Sequence, residues 1–296
     1  MRMLSWLLAG VLAFSGSPVR AASEPLQPYV LAYRVPAGSI PAELPQVKAR
    51  LTQAGFEVVG EYSPYPDATV VAVTSPALKA AATPSLSAFA AAEHVSLTVV
   101  GGELQVSYLN PRYVAGAYRL KGSLDDVAAQ LATALGARQG FGADKGRTVE
   151  QLRDYRYMLG MEGFEDTYEL ARYASQADAL KVVEFNLRGQ VGGAARVYRI
   201  DLPGQRTVFG ISRAQVADPR ANDKHIMADT VDRRFDIKTT AYLPYQLLIE
   251  NGRVRALHMR FRMAVWHPDL TMVTFGKLMS SPGAIGELLT QVAGGK

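Results

Sequence analysis

The chain has 296 residues, with 32 Lys and Arg against 27 Asp and Glu, and its formal charge of +5 is carried without any long basic block. That leaves no electrostatic footprint for nucleic acid. It contains no cysteine, which excludes disulfides, thiolate metal sites and cysteine nucleophiles.

The first 25 residues, MRMLSWLLAGVLAFSGSPVRAASEP, place one cation at Arg2, an apolar run from Leu4 to Phe14, and small residues ending at Val19-Arg20-Ala21. This pattern is a secretory signal peptide over residues 1–21, cleaved after Ala21. Its core is too short to span a bilayer, and no other run approaches roughly 18 apolar residues. The mature chain is expected to be soluble, without a transmembrane segment, and periplasmic. Arg2 and Arg20 leave with the leader, lowering the charge from +5 to +3. About 275 residues remain, enough for two domains.

From residue 28 the elements come in a repeated order. YVLAYRVP alternates as a strand, and AELPQVKARLTQAGF sets Leu44, Val47, Leu51 and Ala54 at helical spacing with Gly55 as the stop. Strands FEVVGEYS and TVVAVTS follow around a PYPDA turn, then a small Ala/Ser-rich excursion and a hairpin turning at Gly101-Gly102. The helix SLDDVAAQLATAL, with Ser123 as the expected N-cap, closes a first β-α-β4-α domain over residues 28–138.

A polar, glycine-rich connector with a short helical stretch spans residues 139–164. The order then recurs over residues 165–296: strand TYELARYA, helix QADALKVVEFNLRG, strands ARVYRIDL and TVFGISRA, a hairpin turning at Asn251-Gly252, and helix PGAIGELLTQVA. The expected fold class is α+β, two tandem β-α-β4-α domains whose antiparallel sheets carry helices on one face.

The stretch RALHMRFRMAVWHPDL reads as a strand. Leu257, Met259, Phe261, Met263 and Val265 then face the core, and His258, Arg260, Arg262 and Trp266 line the other side. That second row is either a solvated face with interdomain ion pairs or a ligand-binding stripe, and it supplies the candidate binding residues. The seven methionines of the mature chain, 158, 161, 227, 259, 263, 272 and 279, all fall in the second half, as do three of the four histidines, 225, 258 and 267. Met259 and Met263 read first as core filler. A soft metal, copper above all, or haem is the alternative, and DKHIMADTVD offers His225, Asp229 and Asp232 on one face if helical.

Both halves resemble the domain of unknown function 302 family. The likeness rests on a helix ending in AGF before a strand, on VVAVTSP, on TTAYLPYQLLIENGRV with its Leu243-Pro244 step, and on a strand followed by Asn110-Pro111 or His267-Pro268. It covers most of residues 28–296. It implies a fold like the TATA-box-binding-protein half-domain and carries over no functional residue. This chain departs from it by its tandem arrangement, its connector and an insert around residues 213–240.

No nucleophile-elbow, zincin or Walker sequence occurs, and Glu162, Glu165 and Asp166 read as connector chemistry. An enzyme would be favoured by carboxylates converging on a deep pocket with strongly perturbed protonation. The leading expectation is a non-catalytic exported module that binds a small ligand or a periplasmic protein through the sheet face or the cleft between the repeats. The tandem copies are expected to form a pseudo-dimer within one chain.

Overall fold

The computed structural model of this protein describes residues 24–83 and 85–295. The leader read over residues 1–21 lies outside the described residues. The first half contains β1 (Tyr29–Pro36), α1 (Ile40–Gln53), β2 (Glu57–Tyr65), β3 (Ala68–Thr74), α2 (Pro76–Ala81), β4 (Glu93–Val100), β5 (Glu103–Leu109), α3 (Pro111–Ala117) and α4 (Asp125–Leu135). The connector holds β6 (Gln139–Phe141) and α5 (Val149–Arg153). The second half contains β7 (Thr167–Arg172), α6 (Gln176–Arg188), β8 (Ala195–Leu202), β9 (Arg206–Ser212), α7 (Asp223–Ile226), β10 (Tyr245–Glu250), β11 (Arg253–Leu257), α8 (Met259–Trp266), α9 (Met272–Lys277) and α10 (Ser281–Ala293).

The fold is α+β with two antiparallel sheets. Their strand orders are β2-β3-β4-β5-β1-β6 and β7-β11-β10-β9-β8. Read from the opposite edge, the second repeats the first five strands of the first. Tyr29 and Thr167, Glu57 and Ala195, and Ala68 and Arg206 open equivalent strands at one constant interval, and β2 and β8 carry a register shift at the same place, Val58/Gly60 and Arg196/Tyr198.

Each sheet buries one face under its own helices. Val47 and Leu51 of α1 and Val127, Leu131 and Leu135 of α4 close on Val71, Val73, Val95 and Val106. Leu243–Pro244, the step before β10, is a cis peptide. Every residue of β3 is buried, as a strand covered on both faces must be.

The second faces close on each other. His94 of β4 pairs with Ala72, and Gln246 of β10 pairs with Gly210, the matching positions of the two sheets. The Tyr198 hydroxyl sits between them, accepting from Gln246 Nε2 at 2.9 Å and bonded to His94 Nε2 at 3.2 Å. Thr98 and Tyr65 meet Thr240 at 2.9 Å, and Tyr62 donates to Asp223 at 3.3 Å. The sheet face expected to be open for a ligand is therefore covered: Thr98, Gln105 and Ser107 are all buried.

Two local expectations change. Leu124, at φ 58°, and not Ser123, is the N-cap of α4, because the Ser123 hydroxyl is spent on Asp125. The strand expected to run on past residue 257 ends at Leu257, where His258 caps α8: its Nδ1 accepts the Arg260 N–H at 3.3 Å. Leu257 pairs with Thr167 as Leu109 pairs with Tyr29. The structural counterpart of His258 is thus Asn110, whose side chain caps α3 by accepting the Arg112 N–H at 3.1 Å. The sequence match of Asn110-Pro111 to His267-Pro268 is displaced by one helix.

The edges of the sheets cross where Gly60 meets β8. A Cβ there would lie 2.3 Å from the Val197 carbonyl oxygen. Gly60→Ala is expected to destabilise the protein by about 2–3 kcal/mol by overpacking the seam. Gly122→Ala, where a Cβ meets nothing within 4 Å, stays within about 0.5 kcal/mol of wild type; urea denaturation of both variants checks the pair.

Candidate functional site

A concavity of about 530 Å³ opens where β6, the turn at residues 235–239 and the segment after α8 meet. That volume lies in the range of small-molecule sites. β6 adds to sheet one beside β1 and lays Phe141 against Tyr29, their ring centroids 5.3 Å apart. Opposite stand Phe235, Ile237 and Leu270. Asp144, Asp236 and Asp269 also line the concavity, with neither Lys nor Arg among its described lining residues.

The turn is clamped from β5. Gln105 donates from Nε2 to the Asp236 carbonyl at 2.7 Å and accepts the Lys238 N–H at 3.1 Å. Lys238 turns its ammonium onto the carbonyls of Asp232 and Phe235 at 2.8 and 2.6 Å, so its charge is spent stitching the turn.

At the floor, Asp232, Thr239 and His267 form a buried chain. The Asp232 carboxylate accepts the Thr239 N–H at 2.9 and 3.0 Å and the Thr239 hydroxyl at 2.6 Å. Thr239 Oγ1 and the Tyr29 hydroxyl lie 2.9 and 3.3 Å from His267 Nε2, and His267 Nδ1 lies 3.3 Å from the Met263 carbonyl. With Nδ1–H directed at that carbonyl and the Thr239 proton spent on Asp232, Nε2 accepts from the Tyr29 hydroxyl, and both ring nitrogens are engaged. Burial pushes the His267 imidazole down to about 3 and the Asp232 carboxyl up to about 6, against the pull of its bonds from Thr239. Both protonations are strongly perturbed, but the chain closes on itself. It holds the floor of the concavity in one arrangement, with the imidazole neutral.

The row read from the sequence is split by α8. His258 and Arg260 turn to the surface, where Arg260 pairs with Glu162 at 3.0 Å and His258 stacks on Tyr168 with ring centroids 4.4 Å apart. Arg262 and Trp266, one helical turn apart, enter the interior at 2% and 1% exposure. The trio His225, Asp229 and Asp232 does not converge: Asp229 pairs with Lys224 at 2.7 Å, Asp232 points inward to Thr239, and the π-helical turn over Met227–Val231 breaks the α spacing that would align them. Among the described residues no three His, Asp or Glu side chains are grouped to hold a metal. Glu165 and Asp166 pair with Arg119 and Arg156.

Met259 and Met263 are buried in the core. They also form the floor of a second concavity of about 270 Å³, whose rim includes Met161 and Met279. No family model, curated protein or solved structure matches the chain.

The floor predicts two opposite pH signatures. His267 stays neutral in the folded protein down to about pH 3, while the unfolded chain takes up that proton near 6.5; its contribution to stability is whole above 6.5 and is lost on acidification. Asp232 holds its proton up to about pH 6 when folded and only to 3.8 when unfolded; its contribution is whole below 3.8 and falls as pH rises to 6. Between pH 6.5 and 4, the melting-temperature deficit of His267→Gln relative to wild type narrows as pH falls, and that of Asp232→Asn widens. Thermal melts across this window measure both.

Proposed function

We propose that the protein is an exported binding module and that the concavity between β6 and the 235–239 turn takes a small organic cation with an apolar body. The observation that carries the reading is the lining itself: aromatic and aliphatic walls from Phe141, Phe235, Ile237 and Leu270, three carboxylates at Asp144, Asp236 and Asp269, and no Lys or Arg among the described lining residues. Apolar walls supply most of the affinity of such a site, and a few charged groups set orientation and sign. The common strand order of the two sheets supports reading the halves as tandem copies of the half-domain seen in the resemblance to the domain of unknown function 302 family. The chain then makes within itself the pairing that a single copy would make between chains.

Phenethylamine and phenylacetate share a body and differ in charge, which makes them the test pair. Isothermal titration is expected to show binding of the amine and none of the acid. Asp269→Asn weakens the amine by roughly five- to tenfold, the scale of one partly exposed charge. Equal binding of both, or of neither, overturns the reading.

One observation favours a second occupant elsewhere. Met161, Met259, Met263 and Met279 line one concavity, and thioether sulfur suits Cu(I). An anaerobic Cu(I) titration against a chromophoric chelator would show one equivalent retained by wild type and released by Met161→Leu/Met279→Leu. No competition with the chelator by wild type leaves these methionines as packing.

A further inference from the structure

Arg262 is 2% exposed and is paired with no carboxylate among the described residues. Its Nη2 donates to the Tyr242 carbonyl and to the Pro244 carbonyl, the latter at 2.8 Å. Its guanidinium lies 4.1 Å from the Tyr242 ring centroid and 4.7 Å from that of Tyr245. Nε and Nη1 have no acceptor at good hydrogen-bond geometry, and the guanidinium also reaches the Tyr118 hydroxyl. A guanidinium stays charged at every physiological pH, and burying a charge without an opposite charge beside it is costly. The nearby acids are committed elsewhere. Asp223 holds Arg213 and accepts from Tyr62. Asp232 holds Thr239. Glu93 accepts the His94 N–H, and burial drives its carboxyl toward the neutral form.

Beside the guanidinium lies a small cavity, with room for about one water-sized species. The two halves build it from matching positions: His94 and Gln246 from the sheets, Tyr118 at the C-cap of α3 and Trp266 at the end of α8. The protons here have donors and lack acceptors. Tyr118 Oη accepts from Trp266 Nε1 at 3.2 Å, leaving its own proton free. The Tyr198 hydroxyl, already accepting from Gln246, donates to His94 Nε2. The His94 Nδ1 proton is directed at the Ala241 carbonyl, which leaves Nε2 as the acceptor. Burial keeps His94 neutral, down to about 3, so the wall it forms adds no second charge.

We propose that this cavity is a structural anion site, and that one halide ion, chloride in the cell, is the counter-ion of Arg262. A water molecule brings two donors of its own to a place that already has too many, and it leaves the charge uncompensated. Phosphate, sulfate and carboxylates are too large for the space.

The test uses the full mature chain crystallised from sodium bromide. Anomalous scattering at the bromine edge is expected to place one peak within contact distance of Arg262 Nη1 and the Tyr118 hydroxyl. In solution at constant ionic strength, replacing gluconate by chloride or bromide raises the melting temperature by roughly 5 °C or more at saturating halide. Arg262→Met removes that increment whatever its own melting temperature, and Arg262→Lys retains part of it. A cavity that scatters as water, with melting curves that coincide in chloride and gluconate, overturns the proposal. A bromide peak without any halide-dependent stability marks an adventitious ion only and overturns it equally.

Discussion

One phenol hydroxyl holds the two halves in register. Each sheet has a second face to bury, and each presents a polar side chain at the same strand position, His94 in one and Gln246 in the other. A buried polar group left without a partner costs about 1–3 kcal/mol. Tyr198 answers both groups with a single oxygen, accepting from one and donating to the other. Gly210 makes room for its ring, since a Cβ there would lie 2.2 Å from Tyr198 Cε1, and Gly60 lets the neighbouring strand cross close by.

With both second faces spent on each other, what is left for a ligand lies at the margin, and it is made from the parts the halves do not share. β6 follows the closing helix of the first half alone. The segment from Asp223 to Tyr242 lies between β9 and β10, where the first half has α2 and a short 3-10 turn over Ser85–Ala91. His267 follows α8 where α3 runs on toward α4. The repeated elements build the frame, and its unrepeated additions build the concavity with Phe141, Phe235, Thr239 and His267.

Most strands and the long helices were legible in the sequence because their burial is one-sided and so periodic. The Gly101-Gly102 and Asn251-Gly252 turns were legible because positive φ at both residues, 59° and 81°, and 50° and 80°, demands those residue types. α8 was not. Of its eight residues all but Arg260 are buried, and a helix enclosed on nearly every side carries no helical stripe; its apolar residues at 259, 261, 263 and 265 continue the alternation of β11 and mimic a strand. That misreading put four side chains on one face and hid the fact that two of them turn inward. The site was less legible still. Its walls come from three short segments far apart in the chain, and only the fold brings them together. His267 stood out in the sequence as a residue before proline and as one of the histidines crowded into the second half, not as part of a concavity.

Trp266 gives the seam an optical signature. The chain has two tryptophans, and the other, Trp6, belongs to the stretch read as a leader. Trp266 is 1% exposed, with the rings of Tyr29, Tyr113 and Tyr118 at centroid distances of 5.8, 5.3 and 6.1 Å. All three tyrosines come from the first half, while the indole stands on the second. With residues 1–21 removed, indole emission would originate at one point between the halves, fed by excitation transfer from tyrosines across the boundary. Light absorbed by one half and emitted by the other reports whether the two are still joined.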